Sequence, residues 1–250
     1  MASIRTGLRA RLIVAGLAAL VLGLVISFPA RIAYGWFAPP GVALAGISGS
    51  IWNGRSSEGT VAGIYLTDLQ WRFRPSALVK GEAAFAFSAK PVLGVLDGEV
   101  GVGVGGSLRL SDFAARLPVS ALRRFDAVSG IEGDIRADIE RIVFDDGIPV
   151  HATAVIDVVS LVVRPLAAST LGDFRATVET VGDTLRGNVE DLAGVVDVSG
   201  TIELTPDRNY SFVGLIAARP DAPSAVRDQL QYLGSADASG RRSFRLEGRL

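Results

Sequence analysis

The sequence contains no cysteine, a single histidine and almost no net charge, and these shortages exclude several classes of protein. Without cysteine there is no disulfide scaffold, no thiolate zinc site, no iron–sulfur cluster and no cysteine nucleophile. One histidine leaves few metal or acid–base designs, and a formal net charge of -1 argues against a nucleic-acid binder, which carries a basic excess. The apolar fraction of 49% against 20% charged residues excludes a disordered chain. We therefore expect a folded, non-enzymatic protein with no catalytic, cofactor-binding or metal-binding residues.

The N-terminal part of the chain contains one long uncharged stretch, from Leu12 to Ala30. As a helix, this stretch of about 19 residues measures roughly 28 Å, close to the hydrocarbon thickness of a bilayer. Basic residues stay on the cytoplasmic side of such a helix, and here they precede it, at Arg5, Arg9 and Arg11. We therefore predict a cytoplasmic tail at 1–11, a transmembrane helix at 12–30 and export of the rest, which in a bacterium means the periplasm.

The alternative to an anchor is a cleaved signal peptide, which needs small residues three and one positions before the cut. The candidates Phe28-Pro29-Ala30 and Arg31-Ile32-Ala33 both have a large residue at the outer position. A buried core helix would show one apolar stripe, whereas this stretch is apolar on every side. The pattern therefore favours an uncleaved membrane anchor.

Beyond the anchor, the apolar residues change from a helical period to a period of two. A connector at 31–40 carries Tyr34 and Trp36, which are typical of a membrane interface, and ends in Pro39-Pro40, which stops a helix. In the segment 130–144, apolar and charged residues alternate, as in an antiparallel strand with one packed face and one wet face. Similar segments recur along the chain and are separated by turn residues.

These patterns predict a mainly β fold: a single N-terminal transmembrane helix, followed by a curved antiparallel β-sheet region with one or two short helices. The sheet region, 41–250, is predicted to be one periplasmic domain. Helical spacing occurs at Pro118–Phe125 and more clearly at Pro220–Leu233, where Gly234 suits a helix end.

A short motif with a central aspartate occurs several times, and we interpret it as a shared hairpin feature. Its copies are Thr67-Asp68-Leu69, Ser111-Asp112-Phe113 and Glu190-Asp191-Leu192. Their irregular spacing argues against a true sequence repeat.

Two segments contain residues that could bind a dinucleotide or act as a general base, and for each we favour a purely structural explanation. The glycines from Gly101 to Gly106 fit the dinucleotide pattern G-x-G-x-x-G, but a strand-like segment follows where that pattern needs a helix. His151 lies on the polar side of a predicted strand, too far from Asp157 along that strand to be oriented by it as a general base. We expect strand glycines and a solvated histidine.

Carboxylates in the segment 130–147 have a similar explanation. Asp134, Asp138 and Glu140 share the polar face of a predicted strand with Arg136, which indicates a solvated face rather than a pair of catalytic acids. Asp145-Asp146-Gly147 resembles the start of a calcium loop, but no ligands follow at the required spacing, so we predict a turn.

The most distinctive tetrad is Ile51-Trp52-Asn53-Gly54. We expect Trp52 to pack in the sheet, and Asn53-Gly54 suits a tight hairpin turn. Neither residue requires a ligand.

Taken in order, several motifs along the chain match one family. The predicted anchor and a Pro-Pro-Gly connector precede Gly46-Ile-Ser-Gly49-Ser-Ile-Trp52-Asn-Gly54-Arg. The next motif is Leu69-Gln-Trp71-Arg-Phe-Arg-Pro75-Ser-Ala-Leu78-Val-Lys-Gly81, and the chain closes with Gln229-Leu230-Gln-Tyr-Leu233-Gly234 and a last strand from Phe244. In this order and spacing, the sequence resembles the type II secretion system protein N family.

The resemblance implies a single-pass protein of the bacterial inner membrane, with its N-terminus in the cytoplasm and its C-terminal domain in the periplasm. It implies an accessory role in protein secretion through contacts with other secretion-system components of the inner membrane and periplasm. It also implies a sheet akin to those of AsmA-like envelope proteins and no catalytic motif. The residues it marks as fold-defining are Gly49, Trp52, Asn53, Gly54, Trp71, Pro75 and Gly234.

A different function also fits the pattern, namely a periplasmic lipid-handling or envelope-assembly module in which a curved sheet shelters acyl chains. The segments 82–89 and 98–104 are small and apolar on both faces, which allows such a site. An anchored hydrolase would need converging polar residues, and the sequence offers no such set.

Overall fold

In the computed structural model, which describes residues 3–38, 40–61, 63–91, 93–122, 130–164 and 170–249 (side chains from Leu12 onward), the chain begins with helices and continues as strands. The helices are α1 (Ser3–Ile26), α2 (Ala30–Phe37) and α3 (Ser224–Leu230), with short 3₁₀ helices at Pro75–Lys80, Val119–Leu122 and Gln231–Leu233. The strands are β1 (Val42–Ala45), β2 (Ser48–Gly49), β3 (Asn53–Val61), β4 (Ile64–Arg74), β5 (Glu82–Pro91), β6 (Val95–Gly103), β7 (Leu108–Pro118), β8 (Ile131–Asp145), β9 (Ile148–Val163), β10 (Gly172–Val181), β11 (Thr184–Gly194), β12 (Val196–Leu204), β13 (Asn209–Ala218) and β14 (Arg242–Arg249).

The strands form one open antiparallel sheet in which nearly every strand pairs with the next one along the chain. The order runs from β1 to β3 and then consecutively to β14, while the two-residue strand β2 pairs with the start of β3. Tight turns make this order possible: Asp146 and Gly147, with φ values of 47° and 76°, join β8 to β9. The prediction of a mainly β fold with a meandering antiparallel sheet is confirmed, as is the turn at Asp145-Asp146-Gly147.

Strand β8 illustrates why these segments form strands. Ile135, Ala137 and Ile139 are half-buried, whereas Arg136 and Asp138 between them are exposed. The half-buried residues lie opposite apolar residues of β9, namely Val158, Ile156 and Ala154. Pairing in this register places all the apolar side chains on one face, as the alternation predicts.

β-Bulges keep the strands in register where the alternation of apolar and polar residues is interrupted. Asp68, Asp112 and Ser160 adopt positive φ values of 51°, 48° and 54°, and the register shifts beside each of them. A small polar side chain tolerates this left-handed backbone, and the extra residue bends the strand locally. The interpretation of the aspartate motif as a hairpin feature is therefore wrong, because Asp68, Asp112 and Asp191 all lie inside strands. The predicted curvature of the sheet as a whole stays a prediction.

Helix α3 covers one end of a sheet face. Val226 and Leu230 are buried together with Leu171 and Val196. The half-buried residues packed against this cluster include Phe174, Val198 and Ile216. Pro223 precedes the helix and Gly234, with a φ of 100°, follows its 3₁₀ extension. The predicted helix at Pro220–Leu233 is therefore confirmed from Ser224 onward.

The other predicted helix, at Pro118–Phe125, is described only in its first half. Residues Val119–Leu122 form a 3₁₀ turn between β7 and β8 in which Val119 is buried. The remainder of the predicted segment, 123–125, lies outside the described residues.

The apolar N-terminal stretch is divided between two helices. Helix α1 ends at Ile26 rather than at Ala30, and the predicted connector is helical as far as Phe37. The break has a local cause, because Pro29 lacks an N–H group and instead forms an isolated bridge with Ser50. Among the residues whose placement is described, none of the helices combines the length and the apolar character needed to cross a membrane.

The burial of α3 leads to a stability prediction. Leu230→Ala should lower the free energy of unfolding by about 3 kcal/mol, because it leaves a cavity in the only cluster of buried side chains identified within the described residues. Urea denaturation of the full-length protein in detergent measures this change. Leu233→Ala is the matched control, since Leu233 is 43% exposed against 6% for Leu230. Equal losses for both variants would contradict the packing of α3.

Candidate functional site

One face of the sheet, which we call the apolar face, carries uncharged side chains from β4 to β14. Residues directly opposite each other in an antiparallel ladder share a face. The row that starts at Trp71 and ends at Leu246 consists of Trp71, Phe87, Gly98, Phe113, Ile139, Ala154, Val178, Gly187, Ile202, Phe212 and Leu246. The neighbouring row consists of Ala89, Leu96, Ala115, Ala137, Ile156, Ala176, Val189, Gly200, Gly214 and Phe244. These two rows define the apolar face.

Aromatic rings on the apolar face pack over glycines. The indole of Trp71 lies on Gly54, and Phe244 lies on Gly214, where an added Cβ atom would come within 2.5 Å of the ring. Phe212 and Phe244 stack edge to face, with ring centroids 5.0 Å apart. A side chain at either glycine would displace a ring, so these glycines are required by packing.

Much of the apolar face remains in contact with solvent. Ile202 is 37% exposed and Leu246 is 58% exposed. Helix α3 packs near Ile216, whereas Ile202 and Leu246 lie further along the strands. Apolar side chains that stay exposed in this way mark a site of interaction with protein, lipid or membrane.

The opposite face, which we call the charged face, carries ion pairs between side chains of neighbouring strands and of strands one further apart. Arg175 on β10 donates through Nε and Nη2 to the two carboxylate oxygens of Asp157 on β9, at 2.7 and 2.8 Å. Other pairs across strands are Arg186 with Glu203, Arg74 with Glu99 and Arg109 with Glu82. The hydrogen bonds from Arg175 lower the pKa of Asp157 below its ordinary value of 3.8. The positive charge of Arg136, which lies opposite Asp157 on β8, lowers this pKa further.

The two edges of the sheet differ in how far they are covered. Strands β1 and β2 pair with opposite ends of β3. Strand β14 ends the order, and no other strand in the described part of the chain pairs with its outer side. An unpaired edge can accept an additional strand through main-chain hydrogen bonds.

The sequence was compared with known proteins. A family model described as "Type II secretion system (T2SS), protein N" matches residues 40–245, which include all the strands except the end of β14. The chain belongs to this family. The type II secretion system protein N of Vibrio cholerae is 26% identical over 92% of this chain and 94% of its own length. The protein of the same name from Aeromonas hydrophila is 25% identical over 85% and 86%, respectively. No solved structure matches the chain.

In this protein N family member, the residues considered for chemistry lie apart from one another. His151 is exposed on β9 opposite Val143. The glycine-rich segment from Gly101 leads into the turn before β7 and not into a helix. Asp138 lies on the charged face. Within the described ranges, no three histidine, aspartate or glutamate side chains are placed to hold a metal ion.

Most of the residues expected to define the protein N fold lie where the helices meet the sheet. Trp52 donates its indole N–H to the carbonyl of Val25 in α1 at 2.8 Å, and Trp71 donates to Ile51 at 3.2 Å. Gly49 has a φ of 87°, and a Cβ atom there would lie 2.5 Å from the carbonyl oxygen of Asn53. Only glycine suits this position.

The remaining positions of that set are more dispersed, and one expectation is wrong. Asn53 and Gly54 begin strand β3 and do not form the predicted hairpin turn. Gly54 pairs with Gly49 of β2, and Arg55 pairs with Ser48. Pro75 opens the 3₁₀ helix after β4. Gly234 lies beyond α3, far along the chain from the others.

Sequence reasoning missed the ion pairs of the charged face and the continuity of the apolar rows. Both depend on register between strands that alternation within one strand does not give. The aspartate motif was the available signal for the changes of register. Aspartate tolerates left-handed backbone better than most residues, so an aspartate inside an alternating segment indicates a bulge.

The ion pair of Asp157 predicts a pH effect. The folded pKa of Asp157 is depressed, so its contribution to stability is present above the ordinary value of 3.8 and is lost as the pH falls through the folded pKa. Asp157→Asn should therefore be less stable than the wild type at neutral pH, and this difference should shrink below about pH 4. Thermal denaturation from pH 7 to pH 2.5 tests this. Asp146→Asn, in the exposed β8–β9 turn, is the control. A constant difference at every pH would contradict the assignment.

Proposed function

We propose that this protein is an inner-membrane-anchored accessory component of the type II secretion system that acts through protein contacts of its periplasmic sheet. The family match over residues 40–245 is the observation that carries the proposal. The relatives named type II secretion system protein N share nearly the whole chain, which supports the same assembly for this protein. No catalytic role is part of the proposal, in keeping with the lack of a catalytic motif in the sequence.

The anchor in this proposal is the segment 12–30, with residues 1–11 in the cytoplasm. Two observations support the anchor. The segment is uncharged, and its apolar side chains, such as Leu12, Leu17 and Leu20, are exposed along α1, as expected for a helix surrounded by lipid. The arginines before Leu12 support a cytoplasmic N-terminus. The hydrogen bond from Trp52 to Val25 then holds the first strands of the sheet beside the end of the anchor.

Contacts with other secretion components are proposed for the surfaces that the fold leaves accessible. The charged face offers alternating cationic and anionic groups, which suit polar protein surfaces. The free edge of β14 offers unpaired main-chain groups. Nucleic acid is not among the proposed partners, because the net charge is -1.

Seven residues in the proposal serve the fold rather than a ligand: Gly49, Trp52, Asn53, Gly54, Trp71, Pro75 and Gly234. The contacts of Gly54 with Trp71 and the positive φ values of Gly49 and Gly234 support this role. We include them as positions that determine where the sheet starts and where α3 ends.

The anchoring and secretion roles are tested together. Leu17→Arg combined with Leu20→Arg should release the protein from the membrane fraction, because arginine near the centre of a bilayer costs about 3 kcal/mol per residue. In a deletion strain this variant should also fail to restore secretion, measured as the fraction of a secreted enzyme in the medium. Leu12→Arg is the control, since it only extends the basic N-terminal end. A double variant that stays in the membrane would contradict the anchor. A deletion strain with normal secretion, and no crosslink from the wild-type sheet to another secretion component, would contradict the function.

A second candidate function, sheltering of lipid acyl chains, is favoured by one specific observation. The apolar face is uncharged across successive strands, and residues such as Ile202 on it are exposed. Contact between acyl chains and such a surface removes apolar area from water, which is favourable and needs no polar partners.

The lipid candidate makes a separate prediction. Ile202→Glu should reduce the phospholipid that copurifies with the full-length protein in detergent, because it buries a carboxylate in the acyl contact. Native mass spectrometry measures the bound lipid. Val213→Glu is a matched control on the charged face of the adjacent strand, with 44% exposure against 37% for Ile202. Wild-type protein without lipid, or equal losses in both variants, would contradict lipid binding at the apolar face.

A further inference from the structure

Strand β14 carries an arrangement of charges and backbone groups that is complementary to itself. We propose that two copies of this protein pair through their β14 strands, antiparallel and two-fold symmetric, with Leu246 on the symmetry axis. The proposal rests on the geometry of β14 and does not depend on the proposed function.

The hydrogen-bond pattern identifies which backbone groups of β14 point outward. Arg219 N–H donates to the carbonyl of Val195 at 2.9 Å, and Thr205 N–H donates to Asn209 at 3.0 Å, so the odd-numbered residues of β13 bond to β12. In an antiparallel ladder the groups alternate, so the even-numbered residues of β13 bond to β14. Their partners on β14 are also even-numbered. The outward N–H and C=O groups therefore belong to the odd-numbered residues: Ser243, Arg245, Glu247 and Arg249.

Two-fold pairing about Leu246 uses all of these outward groups. Arg245 then lies opposite Glu247 of the second copy, and Ser243 lies opposite Arg249 of the second copy. Each of these pairs can exchange both N–H···O=C bonds, as hydrogen-bonded pairs in an antiparallel ladder do. Leu246 meets its own copy in the non-hydrogen-bonded position between them.

The charges select this register over its neighbours. Arg245 and Glu247 lie on the charged face, 2.7 Å apart between Nε and Oε1 within one strand, and both are largely exposed. A two-fold axis at Arg245 would place Arg245 against its own copy. An axis at Glu247 would oppose the two glutamates and also place Arg245 against Arg249. An axis at Gly248 would oppose Glu247 and Arg249 but leave Ser243 and Arg245 without partners. Only the axis at Leu246 pairs all four outward residues with one another and also places opposite charges across the strands, which stabilises the ladder.

The same register continues the apolar face into the second copy. Leu246 is 58% exposed and would be covered by Leu246 of the second copy. Phe244 would lie opposite Gly248 of the second copy, a position without a side chain. Because directly opposite residues share a face, the apolar rows of the two sheets become one continuous surface. The two-fold axis is perpendicular to the sheet, so both proposed anchors enter the same bilayer when this axis lies along the membrane normal.

Cysteine crosslinking in native membranes tests the pairing directly, because the chain has no cysteine of its own. In the full-length protein, Leu246→Cys should form a symmetric disulfide on mild oxidation. The Cα atoms of a non-hydrogen-bonded pair are about 4.5 Å apart, within the range for a disulfide. Ile202→Cys is the control in the same row of the apolar face, but its two copies would be five strand spacings, about 24 Å, apart. A crosslinked dimer for Leu246→Cys alone supports the proposal.

Charge reversal then tests the register. Arg245→Glu and Glu247→Arg should each raise the dissociation constant of the dimer about tenfold, since each creates like-charge contacts at both symmetric positions. The double variant should restore the dimer, and so should mixing the two single variants. Wild-type thermal midpoints for all variants would show that the fold is intact.

Three results would overturn the proposal. The first is no more dimer for Leu246→Cys than for Ile202→Cys. The second is crosslinking of Leu246→Cys only to a different protein, which would assign the edge to another partner. The third is a dimer that forms but does not respond to the charge reversals, which would exclude this register.

Discussion

The fold depends on keeping each strand in register with its neighbours over a long meander. A shift of one residue would move an entire strand's apolar side chains to the wet face. The two rows of the apolar face contain no charged residue, because bulges restore the register where the alternation of apolar and polar residues is interrupted. Asp68 and Asp112 make these corrections as bulges with left-handed backbone, each at a point where the pairing shifts. The separation of an apolar face from a charged face follows from this register.

Both ends of the sheet are fixed by contacts that lie outside the ladder. At the start, the indole of Trp52 reaches the carbonyl of Val25, and Trp71 packs over Gly54. Near the end, Val226 and Leu230 of α3 bury the side chains of Leu171 and Val196. Between these contacts the described residues form little buried core, because no second layer among them covers the sheet. Its exposed apolar side chains are therefore surfaces available for interaction.

These surfaces suit a protein that works by contact. The described residues offer three different kinds of interaction surface: an uncharged face, a face of cross-strand ion pairs and the outer edge of β14. None of them requires a reactive group. The family match covers almost all the strands, so the sheet itself is the part of the chain shared with the proteins named type II secretion system protein N.

The sequence by itself determined strands such as β8, the turn at Asp146-Gly147 and the helix near Leu230, because period, turn residues and helix ends are local properties. It also indicated the family, which the match of the family model to residues 40–245 then showed. Only the tertiary structure decided the placement of Asn53 and Gly54 in β3 and the bulges at Asp68 and Asp112. It alone paired Arg175 with Asp157. Each of these depends on which strand lies alongside, and pairing between distant segments leaves no mark within either segment alone.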